Sequence, residues 1–392
     1  MTRAPVRIAM VAGEASGDLL ASQLIAALQR RLPGAVFYGI GGPRMLRLGF
    51  DAWHPLEKLA VRGYFEVLRH FREILAIRRE LRRRLLADPP DVFIGVDAPD
   101  FNFGLERALK ERGIRTVHYV SPSIWAWRGG RIHKIGAAVS RILALFPFEP
   151  AIYQKQGIPV SYVGHPLADM LPFEDGRDAA RAQLGIAAEQ TVIALLPGSR
   201  QSELQYMAET FIETARLISL RMSRVRFVVP LATAETRGRF EAALRRCAAG
   251  DLPFELFSGR AHEAMMAADL VLVASGTATL EAALLKRPMV IVYRMSPLSY
   301  RLMRLIGGYL PYVGLPNVLA GRFVVPEFIQ DDATPENLAQ ALLNLHADRS
   351  VCSGLREIFR EMHLQLRRNA ADSAALAVLG CLPAGLPGDG AT

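Results

Sequence analysis

The stretch LVLVASGTATLEAALL, residues 270–285, constrains this chain more than any other. Leu270–Val273 is a continuous apolar run and reads as a buried strand. Ser275, Gly276, Thr277 and Thr279 follow, all small or hydroxylic, and then an apolar helix with Glu281 near its first turn. A strand, a tight small-residue turn and a helix N-terminus form an anion site. The free backbone N–H groups point out of the helix end, and the macrodipole favours negative charge there. Gly276 lets an anion approach the backbone closely. A carboxylate one turn in, such as Glu281, could accept hydrogen bonds from two adjacent sugar hydroxyls. Phosphate on the helix end with a diol on the carboxylate describes a nucleoside diphosphate. The same residues also suit plain capping, with Ser275 or Thr277 as N-cap and Glu281 as a dipole partner.

The strand–turn–helix pattern recurs along the chain. Val6–Val11 leads into AGEASGD (residues 12–18) and an amphipathic segment from Leu19 to Leu32. Apolar runs at Phe37–Ile40, Asp91–Val96, Thr116–Val120, Ile142–Phe146 and Val160–Val163 predict strands. Residues 64–86 predict a helix with Val67, Phe71, Ile74, Ile77, Leu81 and Leu85 on one face. The Pro-, Gly- and acid-rich segment 164–176 reads as a linker. A second series follows, with strands at Thr191–Leu196, Val225–Pro230, Phe254–Phe257 and Met289–Tyr293 and helices at Thr334–Leu345 and Leu355–Leu366. Alternating strands and helices predict an α/β protein with two Rossmann-like, doubly wound parallel sheets. The expected division is an N-terminal domain over 1–166, a second domain over 167–350, C-terminal helices over 351–380 and a disordered tail over 381–392. The notable turns all follow strands, so they are expected to gather along a cleft faced by both domains.

Charge is unevenly distributed. Residues 1–165 hold 24 Lys/Arg against 14 Asp/Glu, whereas the remainder holds 23 against 24. The positive excess therefore lies in the N-terminal half and suits an anionic partner there. Residues 62–86 concentrate it, with Arg62, Arg69, Arg72, Arg78, Arg79, Arg82, Arg83 and Arg84 interleaved with Tyr64, Phe65, Leu68 and Phe71. This basic amphipathic pattern suits an anionic membrane surface, and also a solvated helix face. No nucleic-acid motif accompanies it, so nucleic acid is not an expected partner. A second apolar, aromatic and basic stretch lies at 296–312. No apolar run reaches about 18 residues, so no membrane span is expected, and no signal peptide is expected at the N-terminus. Cys247, Cys352 and Cys381 lack metal or redox spacing, which points to a reducing compartment.

Four further turns carry candidate chemistry. Asp97 ends an apolar strand and is followed by Pro99, which places a carboxylate where a general base could work. A loop-capping Asp has the same pattern. AGEASGD is not a dinucleotide fingerprint, and reads either as a tight turn capped by Ser16 or Asp18 or as the floor of an acceptor pocket. SPSIWAWR (121–128) sets Trp125 and Trp127 as an apolar wall or as core, with Arg128, Arg131 and Lys134 nearby. In PGSR (197–200), Arg200 opens a helix, where a cation is unfavourable unless it meets an anion. No metal-binding DxD motif is present, so a positive side chain and a helix end would do the work of a metal on a diphosphate.

Together AGEASGD, DAPDFN, SPSIWAWR, GHPLAD, PGSR, ASGTATLE, YRMSP and LPN (315–317) follow the order and spacing of lipid-A-disaccharide synthases, and the chain resembles that bacterial glycosyltransferase family over almost its whole length. The resemblance implies a GT-B fold with the sugar nucleotide held mainly by the second domain, and no cofactor or metal. It implies transfer of 2,3-diacylglucosamine from UDP-2,3-diacylglucosamine to 2,3-diacylglucosamine 1-phosphate (lipid X). The products would be a β-1,6-linked tetraacyl disaccharide 1-phosphate and UDP, a step of lipid A biosynthesis. Asp97 would be the base, with Glu14 as the alternative acid. Arg200, Ser275, Gly276 and Thr277 would hold the diphosphate, Glu281 the ribose, and Asn317 and Gln330 would line the donor site. Glu14, Ser16 and Asp18 would lie on the acceptor side. The resemblance also implies a peripheral protein at the cytoplasmic face of the inner membrane of a Gram-negative bacterium, met through Tyr64, Phe65, Leu68, Arg69, Phe71 and Arg72. A homodimer with exchanged C-terminal segments would suit the helix at 355–366. Two rival readings are a UDP-sugar 2-epimerase, which shares the architecture, and a non-enzymatic lipid binder.

Overall fold

The computed structural model describes residues 5–59, 64–126, 129–296, 300–301 and 311–383, with side chains in the helix Tyr64–Ala87 described from residue 72 onward. The chain forms two compact units: Met1–Asp169 with Leu366–Thr392, and Met170–Gln365.

The first unit carries a seven-stranded sheet of β1 (Arg7–Ala12), β2 (Val36–Gly41), β3 (Asp51–Pro55), β4 (Val92–Val96), β5 (Arg115–Tyr119), β6 (Arg141–Ala144) and β7 (Val160–Tyr162). Their spatial order is β3-β2-β1-β4-β5-β6-β7, and every pairing is parallel. The second unit carries β8 (Thr191–Leu196), β9 (Val225–Leu231), β10 (Phe254–Ser258), β11 (Leu270–Ala274), β12 (Met289–Tyr293) and β13 (Glu327–Ile329). Their order is β10-β9-β8-β11-β12-β13, again all parallel. Each sheet reverses its winding once, between β1 and β4 and between β8 and β11. That switch point is where open α/β sheets bind ligands. The turns flagged in the sequence (13–18, 97–102, 197–200 and 275–281) leave the C-terminal ends of these four strands.

Strands that the sequence analysis missed lie at the sheet margins. β3 is the sequence DAWHP and β13 is only EFI. Neither carries a buried apolar run, because an edge strand is covered less than a central one. The helix Tyr64–Ala87 buries Ile77, Leu81 and Leu85 and leaves Arg72, Arg79, Arg82, Arg83 and Arg84 exposed. The side chains of Tyr64, Phe65, Leu68, Arg69 and Phe71, and residues 297–299 and 302–310 of the apolar, aromatic and basic stretch 296–312, lie outside the described residues.

The helix Ala15–Arg31 buries Ala21, Leu24, Ile25 and Leu28, at helical spacing, against β1 and β4. Its other cover is the last helix, Ala370–Leu379, which contributes Ala374, Ala375 and Val378 to the same core. The chain thus leaves the second unit after the helix Arg349–Leu366 and completes the first. The GHPLAD segment, expected to be a linker, makes this return possible. Gly164 has φ +83°, and a Cβ there would lie 2.5 Å from Arg368 Cβ and 2.6 Å from the Leu366 carbonyl. His165 N–H donates to that carbonyl (2.9 Å). Asp169 accepts the N–H groups of Asn369 (2.9 Å) and Ala370 (2.6 Å), capping the last helix from 200 residues away. Asp169→Ala should cost about 1–2 kcal/mol of stability. Denaturant unfolding is the check, and an unchanged midpoint would remove the cap from this account.

Candidate active site

In the second unit, β8 and β11 end at a pocket of about 670 Å³ lined by Gly198, Ser199, Arg200, Glu203, His262, Ser275, Gly276, Thr277 and Glu281 among others. Arg200, Ser275, Gly276, Thr277 and Glu281, separated by up to 81 residues in sequence, therefore meet at one surface. Gly276 is the N-cap of the helix Thr277–Leu284, and no side chain caps that end. Ser275 and Thr277 are thus not acting as caps: the Ser275 hydroxyl donates instead to the Val313 carbonyl (3.2 Å). Gly276 and Thr277 are exposed, so the helix end opens into the pocket with its N–H groups free for an anion.

Arg200 reaches the same pocket from a turn built by Glu203. Glu203 Oε2 accepts the N–H groups of Ser199 (2.9 Å) and Arg200 (3.1 Å). Gly198 has φ +121°, and a Cβ there would lie 2.5 Å from that oxygen, so only glycine admits the carboxylate. Arg200 itself is 62% exposed and only loosely tied to Glu203 (3.4 Å), which leaves its guanidinium available to a ligand.

Glu281 lies beyond the helix's first turn and is bonded to His262 Nε2 (3.0 Å). His262 was not anticipated from sequence, because a lone His in GRAHEAMM carries no periodic or spacing signal. The bond to Glu281 raises its pKa above the ordinary 6.5, against the opposing effect of burial. Asn317 and Gln330, expected to line the donor site, make backbone contacts beside the loop that takes the Ser275 hydroxyl. Asn317 is fully buried: its carbonyl accepts Val324 and Val325 N–H (2.7 and 3.0 Å), and its amide donates to Val325 O (2.9 Å) and Glu327 (2.8 Å). Glu327 in turn accepts the N–H groups of Val313 and Gly314 (2.8 Å each), setting the loop that takes the Ser275 hydroxyl. Gln330 clamps Met295 by both backbone groups (2.7 and 3.2 Å).

In the first unit, the turns after β1 and β4 touch: a Cβ on Gly13 would lie 2.5 Å from Ala98 Cβ. Asp97 and Ala98 both take left-handed backbone conformations, φ 53° and 43°, which turn the chain sharply off β4. Asn102 Nδ2 holds this turn by donating to the Asp97 carbonyl (2.8 Å). The Asp97 carboxyl is raised above its ordinary 3.8, mainly by burial; the Ala98 N–H and His118 draw it down and Glu14 pushes it up. A partly desolvated carboxylate at a strand end is suited to accepting a proton. Ser16 is exposed on the adjoining helix, and Glu14 is its N-cap residue. Asp18 is buried and accepts the N–H groups of Gly42, Arg44 and Met45 (3.0, 3.0 and 3.1 Å), so it caps the short helix Pro43–Leu46.

The SPSIW loop rests on Glu149, another residue the sequence did not flag. Glu149 is buried and accepts Leu145 and Phe146 N–H (3.0 and 2.9 Å). Burial pushes its pKa up to about 7, opposed by these bonds and by Ser121 and Trp125. Trp125 meets Phe148 edge to face (5.4 Å), while Trp127 and Arg128 lie outside the described residues. Arg131 binds Asp100 (2.8 Å), and Lys134 is exposed.

The His262–Glu281 ion pair contributes stability that is fully present below the unfolded pKa of His262 and lost as pH rises through its higher folded value. In an NMR titration, the His262 ring should turn over above 6.5, and Glu281→Gln should lower that midpoint. A native midpoint at or below 6.5 would show that the pair does not form in solution.

A sequence model of the family described as lipid-A-disaccharide synthetase matches residues 8–378. The lipid-A-disaccharide synthase of Dechloromonas aromatica is 62% identical over 378 residues, covering 96% of this chain and 99% of that one. That of Azoarcus sp. is 57% identical over 373 residues, covering 95% of each. Among solved structures, the UDP-GlcNAc 2-epimerase from Neisseria meningitidis bound to UDP-GlcNAc aligns with TM-score 0.62 at 14% identity, over 96% of this chain and all of that one. MurG of Acinetobacter baumannii aligns with TM-score 0.59 at 16% identity, again over 96% of this chain and all of that one. These structures share the fold, and the family match goes further: the chain belongs to the lipid-A-disaccharide synthase family of GT-B glycosyltransferases.

Proposed function

We propose that this chain transfers 2,3-diacylglucosamine from UDP-2,3-diacylglucosamine to the 6-hydroxyl of 2,3-diacylglucosamine 1-phosphate, with inversion. The uncapped helix end at Gly276–Thr277, sharing a pocket with Arg200 and Glu281, carries the reading. A diphosphate placed on that helix end would receive backbone N–H groups from one side and the Arg200 guanidinium from another. As the bond from the anomeric carbon to the diphosphate oxygen breaks, its electron pair goes to UDP. Both contacts strengthen as that charge grows, which is the condition for catalysis rather than mere binding. No metal enters this scheme, because a cation and a helix end occupy the place where one would act.

Asp97 takes the proton of the acceptor hydroxyl as its oxygen attacks the anomeric carbon from the face opposite UDP. Its raised pKa, caused mainly by burial, makes it a stronger base than an ordinary carboxylate. Glu14 keeps a role in tuning that carboxylate. Glu281, released from His262, is the acceptor for the ribose hydroxyls. The exposed arginines of the helix Tyr64–Ala87 support docking on an anionic membrane surface, here assigned to the inner membrane's cytoplasmic face. Among the described residues no helix is long and apolar enough to cross a membrane. A homodimer with exchanged C-terminal segments belongs to the same reading, with sedimentation as its test.

UDP release from UDP-diacylglucosamine should require lipid X. Asp97→Ala and Arg200→Ala should each lower kcat by about 100-fold or more, while Glu281→Ala should chiefly raise the KM for the donor. Acceptor-independent turnover, or near-native kcat in the first two variants, would overturn the proposal. Binding to vesicles containing anionic lipid should weaken when Arg82, Arg83 and Arg84 are changed to Ser, and unchanged binding would remove the helix from the membrane contact.

A further inference from the structure

Beneath the Asp97 turn lies a buried polar group that the mechanism above does not use. Gly95, the penultimate residue of β4, stands beside His118 of β5 in the sheet register. A Cβ on Gly95 would collide with Glu106 Oε1 and would sit 3.0 Å from both Cβ and Cγ of Asn102. The missing side chain is therefore a notch, and the helix Pro99–Lys110 fills it with Asn102 and Glu106. Through the notch Glu106 Oε1 reaches His118 Nδ1 (2.8 Å), with both side chains 0% exposed. The other face of the His118 ring packs on Phe103, centroids 4.4 Å apart. Asn102, beside Glu106, is the residue whose amide holds the Asp97 carbonyl.

This arrangement is expensive as mere packing. Glu106 Oε2, His118 Nε2 and Asn102 Oδ1 are all buried without a protein partner. Each such atom has given up its hydrogen bonds to water for nothing, and an apolar trio of similar volume would be at least as stable. An acid and an imidazole retained under these conditions, one turn from a working carboxylate, have a functional explanation close at hand.

We propose that Glu106 and His118 are positioning residues for the Asp97 base: seated in the Gly95 notch, the pair supports the turn through Asn102 and sets the electrostatic environment of the carboxylate. This inference rests on the reading of Asp97 as the base. His118 draws the Asp97 carboxyl down while Glu14, on the turn after β1, pushes it up, so two neighbours on different strand ends work in opposition. Glu106 acts through His118, because its Oε1 holds the ring Nδ1 (2.8 Å) and fixes the ring's orientation; burial raises the Glu106 carboxyl above its ordinary 4.5, and His118 draws it down. Among the described residues, the other charged groups at this turn are Asp100 with Arg78 from the helix Tyr64–Ala87, which donates to its carbonyl (3.4 Å), and Arg131, which donates to its carboxylate (2.8 Å). In the pH profile of kcat/KM, loss of ionised Asp97 forms the acid limb. Removing the draw of His118 must move that limb to higher pH, and removing Glu14 must move it to lower pH.

The test uses the full-length enzyme with UDP-diacylglucosamine and lipid X. Glu106→Gln and His118→Asn should each move the acid limb up by about one pH unit, with the donor KM unchanged, and Glu14→Gln should move it the other way. Folded variants with a wild-type limb would overturn the proposal, including the outcome in which they lose thermal stability alone. If either variant fails to fold, the wild-type protein decides. The ¹⁵N signals of the His118 ring should respond at the titration midpoint of the Asp97 carboxyl, and silence there would overturn the proposal equally. Asp97→Asn separates the two claims. Retained turnover in that variant defeats the base assignment itself, whereas a dead Asp97→Asn beside unaltered limbs in the pair variants defeats only this inference.

Discussion

A parallel strand cannot be followed directly by its neighbour, so the chain must cross over after every strand, and all the strand ends of one sense gather at one edge. The rest of the structure depends on that constraint. At the two reversals, β1/β4 and β8/β11, successive crossovers diverge to opposite faces and leave the strand ends uncovered. In the first unit the gap is closed enough for Gly13 to touch Ala98 and for Asp97 to be desolvated. In the second it stays open, and an uncapped helix end and an exposed arginine share it. One architecture thus provides a partly dry carboxylate in one unit and an anion cradle in the other.

The acidic residues at these edges divide by what they hold. Asp18, Asp169, Glu203 and Glu327 each accept two or more backbone N–H groups, and their oxygens are committed to shaping turns. Asp97 and Glu281 differ. The first is destabilised by burial and the second is paired with a histidine that a ligand hydroxyl group could replace. A carboxylate satisfied by several amides is structural, because releasing it strands those donors. A carboxylate whose partner is titratable or absent can exchange it. This distinction, rather than proximity to a motif, separates Asp97 from Asp18 although both lie in Gly- or Pro-bounded turns.

Much of this was legible in the residues. Central strands such as β4, β8 and β11 are continuous apolar runs because both faces are covered, and their turns were readable for the same reason. The margins were not: β3 and β13 lack an apolar signal, and within the linker-like segment 164–176 nothing marked Asp169 as the cap of a helix 200 residues away. Among the residues lining the pocket, Arg200 was legible because a cation at a helix start conflicts with local propensity, and the 275–277 turn because small residues follow an apolar strand, whereas only the structure left that helix end without a side-chain cap. His262, Glu106, His118 and Glu149 were not, since each acts through hydrogen bonds to partners 3 to 19 residues away that no spacing pattern marks.

The sequence by itself determined the local chemistry. Apolar runs specified the strands, small residues after them specified helix ends open to anions, and the order of motifs specified the family. These follow from propensity and periodicity, which act over a few residues. Only the tertiary structure decided which polar side chains are free. It gave Asn317, Gln330 and Asp18 backbone partners, and it brought His262 to Glu281. It also opened a notch at Gly95 for a buried acid and imidazole. Hydrogen-bond satisfaction is settled by what folding brings alongside, and no local pattern of residues encodes it.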